Sequence, residues 1–482
     1  MADQSIKRNF AYNSIYQISN IIIPLITVPY LSRTLLAEGV GEFSYAYSVA
    51  YYFYMFIRLG LHNYGNREIA YVKNDEMLLS KTFLEIYAFQ FFMGLLISVL
   101  YIIYIVFIST NKLISILFLP FVISGGVDLT WVLSGLEEFK AITIRDVTVK
   151  IASTIFVFVF VKDKNDVWKY ALIYSMGFFL SQVMVAPIIF HKISLIKPKL
   201  QNIASHIKPN LALFLPTIAV SIYKFMDRIM LGFMSGEEEL GYYHSSENII
   251  MVPLAISTAL GTVMMPRVSN MLSRGERDAV ERMLDKSIIF VMFASTSVSM
   301  GIMSVSKEFV PIFFGSGFDK CILIFKIILP SCIFLAFANV IRTQILIPQK
   351  KDGIYTISLL IGAVMNLGLN LLLIPRMAAV GASIGTLVTE ITVCVIQAVS
   401  VLKEGNIIKN SIRSLPFIFA GCLMYLVFEN YKITITDNLV VALLLKIVLS
   451  GSFYCIVLGV FLVMWWLFGK SIYRVKSKNN HL

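Results

Sequence analysis

Long apolar runs alternate with short polar connectors along almost the whole chain. The runs fall at about 10–36, 43–61, 83–109, 113–135, 147–161, 168–190, 209–234, 245–266, 287–305, 321–347, 354–374, 380–402, 411–428 and 440–467. Most are long enough to cross a hydrocarbon core of roughly 30 Å as α-helices. None shows the strict apolar–polar alternation of a barrel strand, and they run to about twice barrel-strand length. Helices are then the only spanning element that satisfies its own backbone hydrogen bonds. The pattern predicts an all-α, polytopic membrane protein of about fourteen transmembrane helices. The fifth run is short, and its helix can begin as early as Ile142.

The connectors set the orientation. With the N-terminus inside, inner segments and their adjoining turns hold 26 Lys and Arg residues and outer segments hold 8. That imbalance predicts both termini on the cytoplasmic side and an even number of spans. The longest connectors, 62–82, 191–208 and 267–286, all lie on the inner side, and the outer loop at Glu237, Glu238 and Glu239 is acidic. No connector has room for a catalytic domain. Met1 to Asn9 is polar, and the run after it is too long for a signal-peptide core, so it is expected to be the first permanent span.

Composition agrees with this picture and removes alternatives. Of 482 residues, 57% are hydrophobic and 15% are charged, with mean hydropathy +0.78; soluble domains carry about 25% charged residues. The net charge of +12 is explained by the basic connectors, and no basic patch interleaved with aromatics suggests nucleic acid. The five cysteines form no CxxC pair, so neither a disulfide framework nor a metal site is indicated. There is no phosphate-binding glycine loop and no HExxH. A non-enzymatic protein without a cofactor is expected, apart from a coupling ion such as H+ or Na+.

The chain also repeats. Val40-Gly41-Glu42-Phe43-Ser44 and Arg67 recur 200 residues later as Leu240-Gly241-Tyr242-Tyr243-His244 and Arg267. Leu119-Pro120 and Lys140 recur as Leu329-Pro330 and Lys350. The spacing suggests two six-helix lobes, 1–208 and 209–404, around a central cavity, with two further helices and a cytoplasmic tail in 405–482. Repeats of like orientation are a transporter architecture.

Charge inside the bilayer is costly and marks candidate function. Lys224, Asp227 and Arg228 share one face of the seventh span at i, i+3 and i+4, where they could line a cavity or tie helices together. Asp128 and Glu390 are mid-depth acids, each a candidate proton or cation site or the partner of a basic residue on a neighbouring helix. Glu247 lies nearer the outer face. Arg33, Arg58, Lys326, Arg342 and Lys446 lie near span ends, where snorkelling also accounts for them. The excess of cations over acids suits an anionic substrate. Pro24 and Pro29 in span one and Pro216 in span seven are hinge candidates. Asn366 and Asn370 form a polar stripe on span eleven.

Three segments carry a family likeness: Pro24-Leu25-Ile26-Thr27-Val28-Pro29-Tyr30-Leu31-Ser32-Arg33, Gly39-Val40-Gly41-Glu42-Phe43-Ser44-Tyr45 and Leu59-Gly60-Leu61-His62-Asn63-Tyr64-Gly65-Asn66-Arg67-Glu68-Ile69-Ala70. They resemble the bacterial polysaccharide repeat-unit flippases (Wzx-type O-antigen or capsule transporters) of the multidrug/oligosaccharidyl-lipid/polysaccharide exporter superfamily. The resemblance implies transfer of an undecaprenyl-diphosphate-linked oligosaccharide across the cytoplasmic (inner) membrane, for O-antigen, lipopolysaccharide or capsule synthesis, by alternating access. It implies a lipid-linked oligosaccharide and the bilayer as partners, with a polysaccharide polymerase and a chain-length regulator beside them. It gives only a general cavity role to Arg33, Lys224, Asp227 and Arg228. The alternatives are a cation-coupled multidrug or metabolite antiporter, a peptidoglycan-precursor flippase, and a membrane glycan polymerase. The short loops argue against the polymerase.

Overall fold

The computed structural model describes residues 2–479 except 195, 403, 405, 432–435 and 437. Side chains are described over the same residues apart from 2–11, 13, 14, 17, 21, 200, 215, 216, 219, 220, 222–224, 462 and 464–479. The described chain is helical, with no strand. It divides into two compact units, 1–245 with 370–379, and 246–369 with 380–482.

The first unit holds α1 (Ala2–Arg58), α2 (Leu61–Val72), α3 (Glu76–Phe107), α4 (Lys112–Leu117), α5 (Leu119–Val127), α6 (Thr130–Gly135), α7 (Phe139–Phe160), α8 (Val167–Val183), α9 (Ala186–Phe190), α10 (Leu200–Ser205), α11 (Ile207–Ser235) and the opening turns of α12 (Glu237–Ser273). The second holds the rest of α12, then α13 (Arg277–Ser304), α14 (Ser306–Phe313), α15 (Lys320–Ile328), α16 (Ser331–Ile341), α17 (Asp352–Ser400) except 370–379, α18 (Ile407–Phe428) and α19 (Leu439–Asn479). The sequence repeat opens its second lobe with span seven, whereas α11, which carries that span, packs within the first compact unit.

Ten helical stretches among the described residues are long and apolar enough to cross a membrane. Two of them hold two crossings each. At 1.5 Å per residue, the 57 residues of α1 would extend about 85 Å and the 49 of α17 about 74 Å, far beyond the bilayer core. Each reverses at one non-helical residue, Leu36 (φ 60°) in α1 and Ala378 (φ 49°) in α17. The helices α7 and α11, with 22 and 29 residues, are also of crossing length. Lys140, Arg145, Asp146 and Lys150 lower the hydropathy of α7. These stretches together account for the fourteen crossings.

Three boundaries differ from the hydropathy pattern. The fifth helix starts at Phe139, with a charged first half. Residues 37–42, expected as a loop, are already helical. The fourth span is interrupted at Phe118 and again at Asp128–Leu129, so it forms α4, α5 and α6. Pro24 and Pro29 lie inside the first arm of α1, but the reversal comes at Leu36. Pro216 lies in α11, and its side chain is outside the described residues.

Local signals place the ends. Asp75 caps α3 by accepting from the Met77 and Leu78 amides, and Asn111 caps α4 by accepting from Ile114. Along α3, Phe91, Phe92, Leu95, Leu96, Val99 and Leu100 are exposed. An apolar stripe of that length is stable only in contact with lipid or protein. The opposite side packs on α5, where a Cβ on Gly94 would lie 2.8 Å from the Gly126 Cα.

The first unit contains a crossing of unusual closeness. A Cβ at Gly41 would sit 1.7 Å from the Glu237 carbonyl oxygen, and one at Gly241 would sit 1.8 Å from the Ala37 carbonyl oxygen. The 200-residue offset maps Gly41 on Gly241 and Ala37 on Glu237. It also maps Leu36 (φ 60°, ψ −178°) on Gly236 (φ 92°, ψ 172°). Two corresponding helix starts thus meet backbone to backbone, each after a residue with positive φ. Glycine adopts that conformation at little cost, whereas leucine is strained in it.

Candidate functional site

The most elaborate polar structure of the first unit grows from the break in span four. After Gly125-Gly126-Val127 the backbone becomes extended at Asp128 (φ −72°, ψ 111°). Breaking a membrane helix frees carbonyls that lipid cannot satisfy. Gln90 of α3, fully buried, supplies donors: its Nε2 donates to the Gly125 carbonyl at 2.7 Å and to the Asp128 carbonyl at 2.9 Å. The Trp131 indole N–H donates to Gln90 Oε1 at 2.9 Å and fixes the amide orientation. Gln90→Leu would leave three buried groups unpaired, each costing about 1–3 kcal/mol. We expect a lowered thermal unfolding temperature in detergent and altered Trp131 fluorescence. An unchanged melting curve would contradict this account of the break.

The break presents Asp128 to Arg58, the last residue of α1. Arg58 Nε lies 2.9 Å from Asp128 Oδ2, Arg58 Nη1 donates to the Tyr54 hydroxyl at 3.1 Å, and Tyr54 donates to Asp128 Oδ2 at 3.2 Å. The Thr130 amide donates to Asp128 Oδ1 at 2.8 Å. Asp128 is 1% exposed and Arg58 23%. Asp128 is therefore paired with a cation of a neighbouring helix.

The network continues onto the charged half of α7. Arg145 donates to Gln182 Oε1 at 3.2 Å and to the Thr130 hydroxyl at 3.4 Å, and pairs with Asp146 at 2.8 Å. Lys150 donates to Asn20 Oδ1 and lies 4.7 Å from the Tyr16 ring centre. Arg58 and Arg145 are both within electrostatic reach of Tyr16. Three cations and two carboxylates thereby join one polar network that ties α1, α7 and α8 to the break in span four.

A second cluster lies on α11. Asp227 is buried, accepting from the Tyr243 hydroxyl at 2.9 Å and from Asn370 Nδ2 at 2.7 Å. It links α11, α12 and α17. The Arg228 guanidinium lies 5.2 Å from the Phe225 ring centre, and Phe225 stacks on Tyr51 at 4.1 Å. The Lys224 side chain is outside the described residues. Arg33 is exposed on the first arm of α1.

The remaining candidates belong to the second unit. Lys326 pairs with Glu429, and that hydrogen bond holds the Glu429 carboxyl below its ordinary range. Lys446, 1% exposed, pairs with Glu308 at 2.8 Å. Arg342 donates to Asn339 and, at 3.3 Å, to the Tyr355 hydroxyl. Glu390 is buried and Glu247 half-buried. Lys326 and Lys446 are each paired with a carboxylate distant in sequence.

Sequence reasoning missed Gln90, Arg145 and Lys150. A single glutamine in an apolar run has no distinctive spacing. Arg145 and Lys150 depress hydropathy, so the pattern places them with an inner connector although α7 extends through them.

Residues 6–272 match the family model described as polysaccharide biosynthesis protein. A relative named "Putative O-antigen transporter" from Escherichia coli (strain K12) is 24% identical over 395 residues, covering 80% of this chain and 94% of that protein. Among solved structures, the lipid II flippase MurJ in an inward closed conformation superimposes with TM-score 0.64 at 16% identity, covering 91% of this chain and 98% of that one. An inward-facing multidrug resistance MATE family transporter of the MOP superfamily gives 0.54 at 12% identity, covering 82% and 98%. These likenesses establish the fold.

Proposed function

The chain belongs to the polysaccharide biosynthesis protein family, and from that premise we propose that it is a flippase for an undecaprenyl-diphosphate-linked oligosaccharide repeat unit. It moves this substrate from the cytoplasmic to the outer leaflet of a bacterial cytoplasmic membrane, for O-antigen or capsule synthesis, by alternating access of its repeated halves. Both termini face the cytoplasm. The transfer needs no covalent chemistry, and an H+ or Na+ gradient drives it. A polymerase and a chain-length regulator use the product.

The observation that carries this reading is the polar network from Arg58 to Lys150. A diphosphate bearing sugars cannot cross hydrocarbon unaided, because each charge loses its hydration. Fixed guanidinium and ammonium groups replace part of that hydration, while the prenyl tail stays in lipid. The fold is shared by flippases and drug transporters, so it does not choose between them. The excess of cations within the spans favours an anionic substrate over a cationic drug.

Deleting the gene should leave lipid-linked repeat units on the cytoplasmic leaflet and abolish surface polysaccharide, and a plasmid copy should restore both. Delivery to the outer leaflet at the normal rate in a strain lacking this gene and any related transporter would overturn the reading.

A further inference from the structure

We propose that the outer end of the first unit holds a binding pocket for the sugar portion of the exported glycan, built around Glu38, Glu42, Asn165 and Trp168. The inference rests on the flippase reading above and adds a site separate from the intramembrane cations that carry it.

The first support is a cavity of about 390 Å³, a size that takes small ligands. Four outer connectors of the first unit contribute to it. Glu38 and Glu42 come from 37–42, Asn111 from 110–112, Lys164 and Asn165 from 162–167, and Glu237 from 235–244. With the N-terminus inside, all four connectors lie on the outer side, where a transferred glycan emerges.

The second support is that the walls are fixed. Asn111 Oδ1 accepts from the Ile114 amide at 3.1 Å, and Asn111 Nδ2 donates to Glu42 Oε1. Glu42 Oε2 is left without a partner among the described residues. The turn Lys164–Asp166 is closed by Asp166, whose Oδ2 accepts from the Lys162 amide at 2.8 Å. Val167, which follows the turn, abuts α1 so closely that a Cβ on Gly39 would lie 2.8 Å from its Cγ2. Hydrogen-bonding groups that are already ordered cost little entropy when a ligand uses them.

The third support is the chemistry of the lining. The carboxylates of Glu38, Glu42 and Glu237 outnumber the ammonium of Lys164, so the pocket disfavours a phosphate. Among the described residues no three His, Cys, Asp or Glu side chains gather closely enough to hold a metal ion. Acceptors spread around a cavity suit a ligand whose donors are also spread, as sugar hydroxyls are. The Asn165 side-chain amide offers both a donor and an acceptor. Leu35, Leu113 and the indole of Trp168 add apolar surface for the C–H face of a sugar ring. Trp168 is 41% exposed, so a ligand can reach it.

The test uses the full chain in nanodiscs. The probe is the lipid-free repeat unit, released by mild acid from the lipid-linked glycans of the host strain. Tetraphenylphosphonium and magnesium chloride serve as competitors. The parent should bind the probe, and Glu42→Gln combined with Trp168→Ala should weaken binding by roughly tenfold or more, through loss of a charge-assisted hydrogen bond and a ring contact. Each single variant should fall between. Neither competitor should displace the probe at tenfold excess. No binding by the parent, or binding by a folded double variant within twofold of the parent, would overturn the pocket. Displacement by either competitor would overturn the sugar and make the cavity a cation site. If the double variant does not fold, Trp168→Ala alone decides: a weakened probe affinity supports the pocket and parental affinity overturns it. Glycan transfer in reconstituted vesicles separates this proposal from its premise. Transfer by a parent that does not bind the repeat unit ends the pocket alone, whereas no transfer by the parent ends the flippase reading.

Discussion

Gly241→Val should abolish glycan export while leaving the protein in the membrane. Any Cβ at that position meets the Ala37 carbonyl oxygen at 1.8 Å, and the same substitution at Gly41 meets the Glu237 carbonyl oxygen at 1.7 Å. Overpacking usually costs about 1–3 kcal/mol because side chains shift to make room. Here the obstacle is backbone, so the two helix starts themselves must separate. A penalty of about 1.4 kcal/mol on one conformation already shifts its population tenfold. Gly236→Ala provides the contrast. Its Cβ would meet nothing within 4 Å, and only the φ of 92° opposes it, so the cost is that of one strained residue. Export in a deletion strain carrying each variant, normalised to membrane protein level, measures the difference. Equal export from Gly241→Val and the parent would remove any role for the crossing.

Asp128→Ala should destabilise the protein by about 3–5 kcal/mol, because it leaves a largely buried guanidinium without its carboxylate. Asp128→Leu combined with Arg58→Met should cost less than either single change, since two apolar side chains satisfy each other where one charge cannot. Thermal unfolding in a mild detergent reads the stability, and a double-mutant cycle isolates the pair. Additive effects would mean that Arg58 and Asp128 act independently, against the 2.9 Å geometry. Function should divide differently. The double variant recovers stability but lacks the cation proposed to hold substrate, so its export should remain low.

The crossing helices were legible in the sequence because each must be apolar over a fixed length, a one-dimensional property. The places where that property fails were the places missed. The first half of α7 carries Arg145 and Lys150 within a spanning helix, so hydropathy starts the span too late. The break at Asp128 sits in a run that stays apolar on both sides, and only the extended backbone and the amide of Gln90 reveal it. The segment after Leu36 holds Glu38, Gly39, Gly41 and Glu42, so the pattern reads a loop where helix continues. The pairing of Arg58 with Asp128 joins positions 70 apart, and nothing in the local spacing of either selects the other. The Lys224–Asp227–Arg228 face was visible as helical periodicity. That Asp227 would be held by Tyr243 and Asn370 depended on two further helices.

The two ion pairs that fasten the trailing helices also order the birth of the protein. Glu308 leaves the ribosome 138 residues before Lys446, and Lys326 leaves 103 residues before Glu429. Until α18 and α19 are inserted, the nascent second unit presents a carboxylate and an ammonium to the membrane without their final counter-ions. An unmatched charge within the bilayer is costly, so that half-made state is less stable than the finished unit. A chain stopped after residue 404 would keep every helix of the repeat yet remain in that state permanently. The trailing pair can therefore be essential to the yield of the transporter without ever touching what it carries.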